Sequence, residues 1–140
     1  MITGAAYETV YVADDWYDGP RSGFADYKQQ PHFYRSLHLD INSFADYDYD
    51  EDRFELTPVS AQALEWAIAS HQLWNKWNEA YRAGILPEEA NDERILLGDR
   101  AYDQELRIRI EQQMSLQKEN SFLVRGKFEL SCQRVQWYEV

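Results

Sequence analysis

The sequence predicts an α+β fold, an antiparallel, curved or barrel-like sheet of about five to six strands packed by two helices over roughly 60–83 and 99–118. Three observations predict it. Short runs rich in β-branched and aromatic residues open and close the chain. Between them lie two long stretches with helical periodicity. Strands segregated from helices in this way pair antiparallel, and the C-terminal strands must meet the N-terminal ones or leave open edges.

Tyr7–Ala13 reads as the first strand, and Asp14-Asp15-Trp16-Tyr17-Asp18-Gly19-Pro20 as a turn with Asp-Gly and Gly-Pro steps. A short strand follows over 23–28, broken by Gln29-Gln30-Pro31, and His32–Leu39 runs back. Alternation along that return strand places Phe33, Leu37 and Leu39 on its apolar face, interrupted by Arg35. His32, Tyr34, Ser36 and His38 fall on the opposite, solvent face. Residues 40–52 form an acidic loop, and Phe54–Leu56 a short strand.

Thr57-Pro58-Val59-Ser60 reads as a helix start, because proline is preformed for a first turn and Thr57 or Ser60 can cap free N–H groups. The helix runs to about Ala83 with Gly84 as its terminator, and Trp66, Leu73, Trp74, Trp77 and Tyr81 make its apolar stripe. After a polar connector, Asp99 caps a second helix on which Tyr102, Leu106, Ile110 and Met114 recur every four residues. Asp103 with Arg107, and Glu105 with Arg109, are (i, i+4) pairs that support it. Phe122–Leu130 and Arg134–Val140 read as a closing hairpin.

The 140 residues suit one domain spanning 1–140, and 44 % apolar residues supply a core. The net charge of −11 opposes direct binding to nucleic acid or to an anionic membrane surface. The excess is uneven, with thirteen acids and four bases in residues 1–70 against twelve and ten in 71–140. A single cysteine, Cys132, allows no intramolecular disulfide. Met1–Glu8 has neither a basic start nor an apolar run, so the expected compartment is the cytoplasm.

Signatures of phosphate loops, dinucleotide sites, nucleophile elbows and zinc sites are absent, so the sequence points to no catalytic residues, no metal and no cofactor. Asp46-Tyr-Asp48-Tyr-Asp50-Glu-Asp52 begins like a calcium loop. However, Glu51 stands where the sharp turn needs glycine, and Thr57 where the bidentate glutamate belongs. These four aspartates with their interleaved tyrosines suit instead a basic protein partner, and the function expected is a non-enzymatic binding or interaction protein. The alternative is a small enzyme or small-molecule sensor built on Arg21, His32, Tyr34 and His38. Two imidazoles, a phenol and a guanidinium can hold an anion or move a proton near neutral pH. The oligomeric state is not encoded in any pattern of the sequence.

The stretch Tyr17-Asp-Gly-Pro-Arg-Ser-Gly-Phe-Ala-Asp-Tyr27 with Pro31-His-Phe-Tyr34 resembles the opening of a family of small bacterial proteins. Leu56-Thr-Pro58, Leu73-Trp-Asn-Lys-Trp77, Gly98-Asp-Arg100, Arg125-Gly-Lys-Phe128 and Val135-Gln-Trp137 fit the same family. The resemblance covers nearly the whole chain and implies one bacterial domain; the family carries no established activity.

Overall fold

A computed structural model describes residues 6–14, 21–37, 52–85, 94–129, 131 and 133–139. Six strands close into an antiparallel barrel in chain order: β1 (Tyr7–Asp14), β2 (Ser22–Tyr27), β3 (Gln30–Ser36), β4 (Asp52–Pro58), β5 (Phe122–Phe128) and β6 (Arg134–Glu139). The sequence reading of a barrel-like sheet with two helices therefore holds. Helices α1 (Ala61–Arg82) and α2 (Arg100–Gln117) are inserted as one hairpin between β4 and β5. Closure comes from β6 pairing with β1 through Gln136–Tyr7, Val135–Glu8 and Arg134–Thr9, so each of the described strands has a neighbour on both sides.

The barrel wall is apolar on both sides for part of its circumference. Inside lie Val10, Ala25, Tyr34, Phe54, Leu56, Val124, Val135 and Trp137. Outside, Val12, Phe24, Phe33 and Val59 are covered by Ala63, Leu64, Trp66, Ala67 and Ile68 of α1 and by Ile110 and Met114 of α2. A bulge at Tyr11 makes this possible in β1. Val10 opposes Ala25 and Val12 opposes Phe24, so two valines one residue apart face opposite sides of the wall. The extra residue, Tyr11, donates its hydroxyl to Asp26 Oδ2 at 2.9 Å, and burial together with that carboxylate raises its pKa above the usual phenol value.

Two glycines admit the large interior side chains. A Cβ on Gly23 would overlap the Val12 carbonyl oxygen and lie 2.7 Å from the Tyr34 hydroxyl. A Cβ on Gly126 would overlap the Trp137 ring, which lies directly opposite on β6.

Five local readings are corrected. The β2–β3 turn is Lys28-Gln29, both at positive φ (52° and 67°), as a two-residue hairpin turn demands. Pro31 thus sits within β3 opposite Asp26 of β2, one residue beyond the last His32–Pro58 pair of the β3–β4 ladder, and its carbonyl accepts from the Val59 N–H. Pro58 ends β4 rather than starting the helix, and Ser60 caps α1 by accepting from the Ala63 N–H at 3.0 Å. The buried residues of α1 are Ala63, Ala67 and Trp77, whereas Trp74 and Tyr81 of the expected stripe are exposed. On α2, Leu106 is buried and Tyr102 exposed; Asp103 is buried, accepting from Ser70 Oγ at 2.6 Å and pairing with Arg107 at 2.7 Å. Asp99 precedes α2 without a side-chain cap bond and instead pairs with Lys76 at 3.0 Å.

Candidate functional site

The residues singled out on β3 do share a face, but it is the inside of the barrel. His32 and Tyr34 are buried, while Phe33 points outward to the helices and Arg35 lies exposed beside Glu55 at 3.6 Å. The expected solvent face is therefore an interior face. The reason is the helical cover: once α1 and α2 lie on the outer wall, both sides of β3 are apolar and alternation no longer distinguishes them.

Tyr34 sits at the centre of an aromatic cluster. Its ring centroid is 5.8 Å from Phe54, 5.2 Å from Phe128 and 6.1 Å from Trp137, all tilted or edge-on, as ring quadrupoles prefer. Its hydroxyl donates to the Val12 carbonyl at 3.1 Å across Gly23. Trp137 donates Nε1–H to the Asp26 carbonyl at 2.8 Å. These two polar atoms secure strands to one another across the interior.

Arg21 and His32 lie toward opposite ends of β3. Arg21, buried just before β2, donates from Nη1 to Ser36 Oγ at 3.2 Å, and its carbonyl accepts from the Ser36 N–H. His32 lies four residues earlier on the same strand, about 13 Å away by strand rise. The structure thus joins Arg21 to Ser36 and puts Tyr34 between Arg21 and His32, without bringing the three polar groups to one point. His38 lies outside the described residues, as do Asp46, Asp48, Asp50, Cys132 and the 15–20 turn; Asp52 begins β4 opposite Gly126.

At the His32 end, the imidazole is enclosed by Tyr27 at 5.5 Å and Phe122 at 5.7 Å, each ring edge-on, and Tyr27 and Phe122 touch at 5.0 Å. His32 Nδ1 lies 2.8 Å from the Gln30 carbonyl oxygen. Burial lowers its pKa below the usual imidazole value, opposed by the Gln30 carbonyl and by the carboxylates of Glu8 and Asp26. The Thr57 and Ser121 hydroxyls are hydrogen-bonded at 2.8 Å, joining the end of β4 to the start of β5. Sequence reasoning found His32 but not Tyr27, Phe122 or this hydroxyl pair. Nothing local in the sequence relates residue 32 to residue 122.

Among the described residues, no group of three His, Cys, Asp or Glu side chains could hold a metal ion. No helix among them is long and apolar enough to cross a membrane. The molecule is thus an up-and-down six-stranded barrel with a helical-hairpin insertion. Comparison of the chain with family models, curated proteins and solved structures gave no match.

Proposed function

We propose that this chain is a non-enzymatic binding protein. It recruits a basic protein partner through acidic, aromatic-rich connections at one end of its barrel, with Asp46, Asp48, Asp50 and Asp52 as principal contacts. The distribution of charge supports this reading. Eleven of the twenty-five acidic residues lie in 15–20, 38–51 and 86–93, which hold no Lys or Arg; the rest of the chain balances at fourteen acids and fourteen bases. Segments 15–20 and 38–51 join β1 to β2 and β3 to β4, and alternate connections of an up-and-down meander leave from the same end. Seven of these eleven acids fall in the two connections at that end, and such an excess on an otherwise balanced chain steers a basic partner and speeds encounter. The filled interior around Tyr34 favours recognition on the outside of the barrel over a ligand within it. The proposal places the protein in the cytoplasm, in the bacterial setting that the resemblance of its opening implies, and requires no cofactor.

The test is capture from a bacterial lysate on the immobilised wild-type chain and on the variant with Asp46, Asp48, Asp50 and Asp52 all changed to Asn, at about 0.05 M and about 0.5 M salt. The expected result is a Lys- and Arg-rich protein retained by the wild type at low salt, released at high salt and missed by the variant. A partner held equally by both chains at both salts, or the capture of no basic protein, would contradict the reading.

A further inference from the structure

Both attachments of the helical hairpin to the barrel meet at the first residues of β3. On the outgoing side, the Val59 N–H donates to the Pro31 carbonyl at 3.1 Å, and Pro58 pairs with His32. On the returning side, Ser121 bonds Thr57, and Phe122, the first residue of β5, packs its ring against His32 and Tyr27. His32 is therefore in contact with the chain both where it leaves the barrel for α1 and where it returns from α2, and it is only 7 % exposed.

The geometry also fixes where its protons go. The Gln30 carbonyl, 2.8 Å from Nδ1, can only accept, so the neutral ring carries its hydrogen on Nδ1 and leaves Nε2 as the basic nitrogen. A second proton would put a full charge on a ring enclosed by Tyr27 and Phe122 and shielded from water. The charged groups facing it are Glu8 of β1 and Asp26 of β2, and both favour the charged ring. From β4 and β5 the neighbours are Pro58 and Phe122, which carry no charge.

We propose that His32 is a pH-sensitive pin at the double attachment of the α1–α2 hairpin. Neutral, it holds the Pro31–Val59 and His32–Phe122 contacts closed; protonated, it releases them while the interior around Tyr34 stays packed. Burial outweighs the two carboxylates, so the closed form binds the proton less well than an open chain does. Above the ordinary value of about 6.5 the ring is neutral in both forms and makes no difference. As pH falls from there through the lower closed-state value, the open form is increasingly favoured.

Proton NMR on the whole chain between about pH 8 and pH 5 tests this, reading the His32 titration together with hydrogen-exchange protection, corrected for intrinsic rates, at the Val59 and Phe122 amides. The expected midpoint lies below that of an open-chain histidine. Protection at both amides should fall by the factor by which proton affinity is lowered, about tenfold per pKa unit, while Phe54 and Val124 keep theirs. In His32→Phe and His32→Gln the pH dependence at Val59 and Phe122 should vanish. Either variant suffices for that comparison, and the match between midpoint and protection loss stands on the wild type alone. A midpoint at or above the open-chain value would overturn the proposal. So would protection at Val59 and Phe122 that is independent of pH in the wild type, or equally pH-dependent in a folded variant.

Discussion

Inside the barrel, Tyr34, Phe54 and Trp137 are buried, and glycines at 23 and 126 give way to them. On the helical hairpin, Trp74 and Tyr81 are 36 % and 54 % exposed, and alanines at 63 and 67 make the close contact. The difference follows from shape. A closed barrel surrounds a ring on every side, so large side chains fill it and the residues opposite them must be small. A helix lying on the outside of a wall approaches most closely through its smallest residues, and Trp74 and Tyr81 are left exposed. Each stacks on a neighbouring ring, Trp74 on His71 at 5.8 Å and Tyr81 on the buried Trp77 at 5.1 Å. Aromatic content alone therefore does not locate the core of this molecule.

The contrast can be broken most severely at Gly126. Gly126→Val places a branched side chain where the Trp137 ring lies, with Phe54 Cδ1 at 3.1 Å from the new Cβ, so the Trp137 ring has to shift within a filled interior. The expected loss lies at or beyond the roughly 3 kcal/mol upper end for overpacking, seen as loss of the cooperative unfolding transition in urea. A folded variant of near wild-type midpoint would show that the interior is loosely filled.

A smaller effect is expected from Tyr34→Phe, which keeps the ring but removes the hydroxyl that donates to the Val12 carbonyl. The expected loss is about 1–3 kcal/mol, the usual penalty for leaving a buried acceptor without its donor, measured by the same urea titration. A change within error would mean that this hydrogen bond does not secure β1 across the interior.

The smallest effect belongs to the hairpin. Trp74→Ala should cost less than about 1 kcal/mol, because the ring is one-third exposed and stacks on His71 of its own helix. A thermal-denaturation loss of about 3–5 kcal/mol, the range for a buried tryptophan, would place Trp74 in the core and remove the contrast.

The six strands and both helices were legible because their signals are local. β-Branched and aromatic runs mark β1, β5 and β6, Ser60 supplies a cap, and Gly84, at φ +70°, terminates α1. Facing was not legible. Phe33 and Tyr34 are both suited to burial, and only the helices on the outer wall decide that Tyr34 takes the inside. The stripe of α1 was legible at Trp66 and Trp77 but not at Trp74 and Tyr81: tryptophan outranks alanine in hydrophobicity, but the contact distance between helix and wall selects Ala63 and Ala67. At the candidate site, the alternation that groups His32, Tyr34 and Ser36 was readable from period two. The partners that define their chemistry, Val12 for Tyr34 and Phe122 for His32, come from strands far away in the chain.

The central claim is that the barrel is a neutral frame and that the acidic connections carry recognition. It is tested most directly by the association rate of the captured basic partner with the wild type and with the Asp46, Asp48, Asp50 and Asp52 to Asn variant, measured across ionic strength. Exposed charges are screened over about 8 Å at physiological salt, so the wild-type rate should fall steeply as salt rises. The variant should associate more slowly at low salt, with a flatter salt dependence and an unfolding midpoint equal to or above that of the wild type. An association rate and a salt dependence unchanged by the fourfold substitution would contradict the claim.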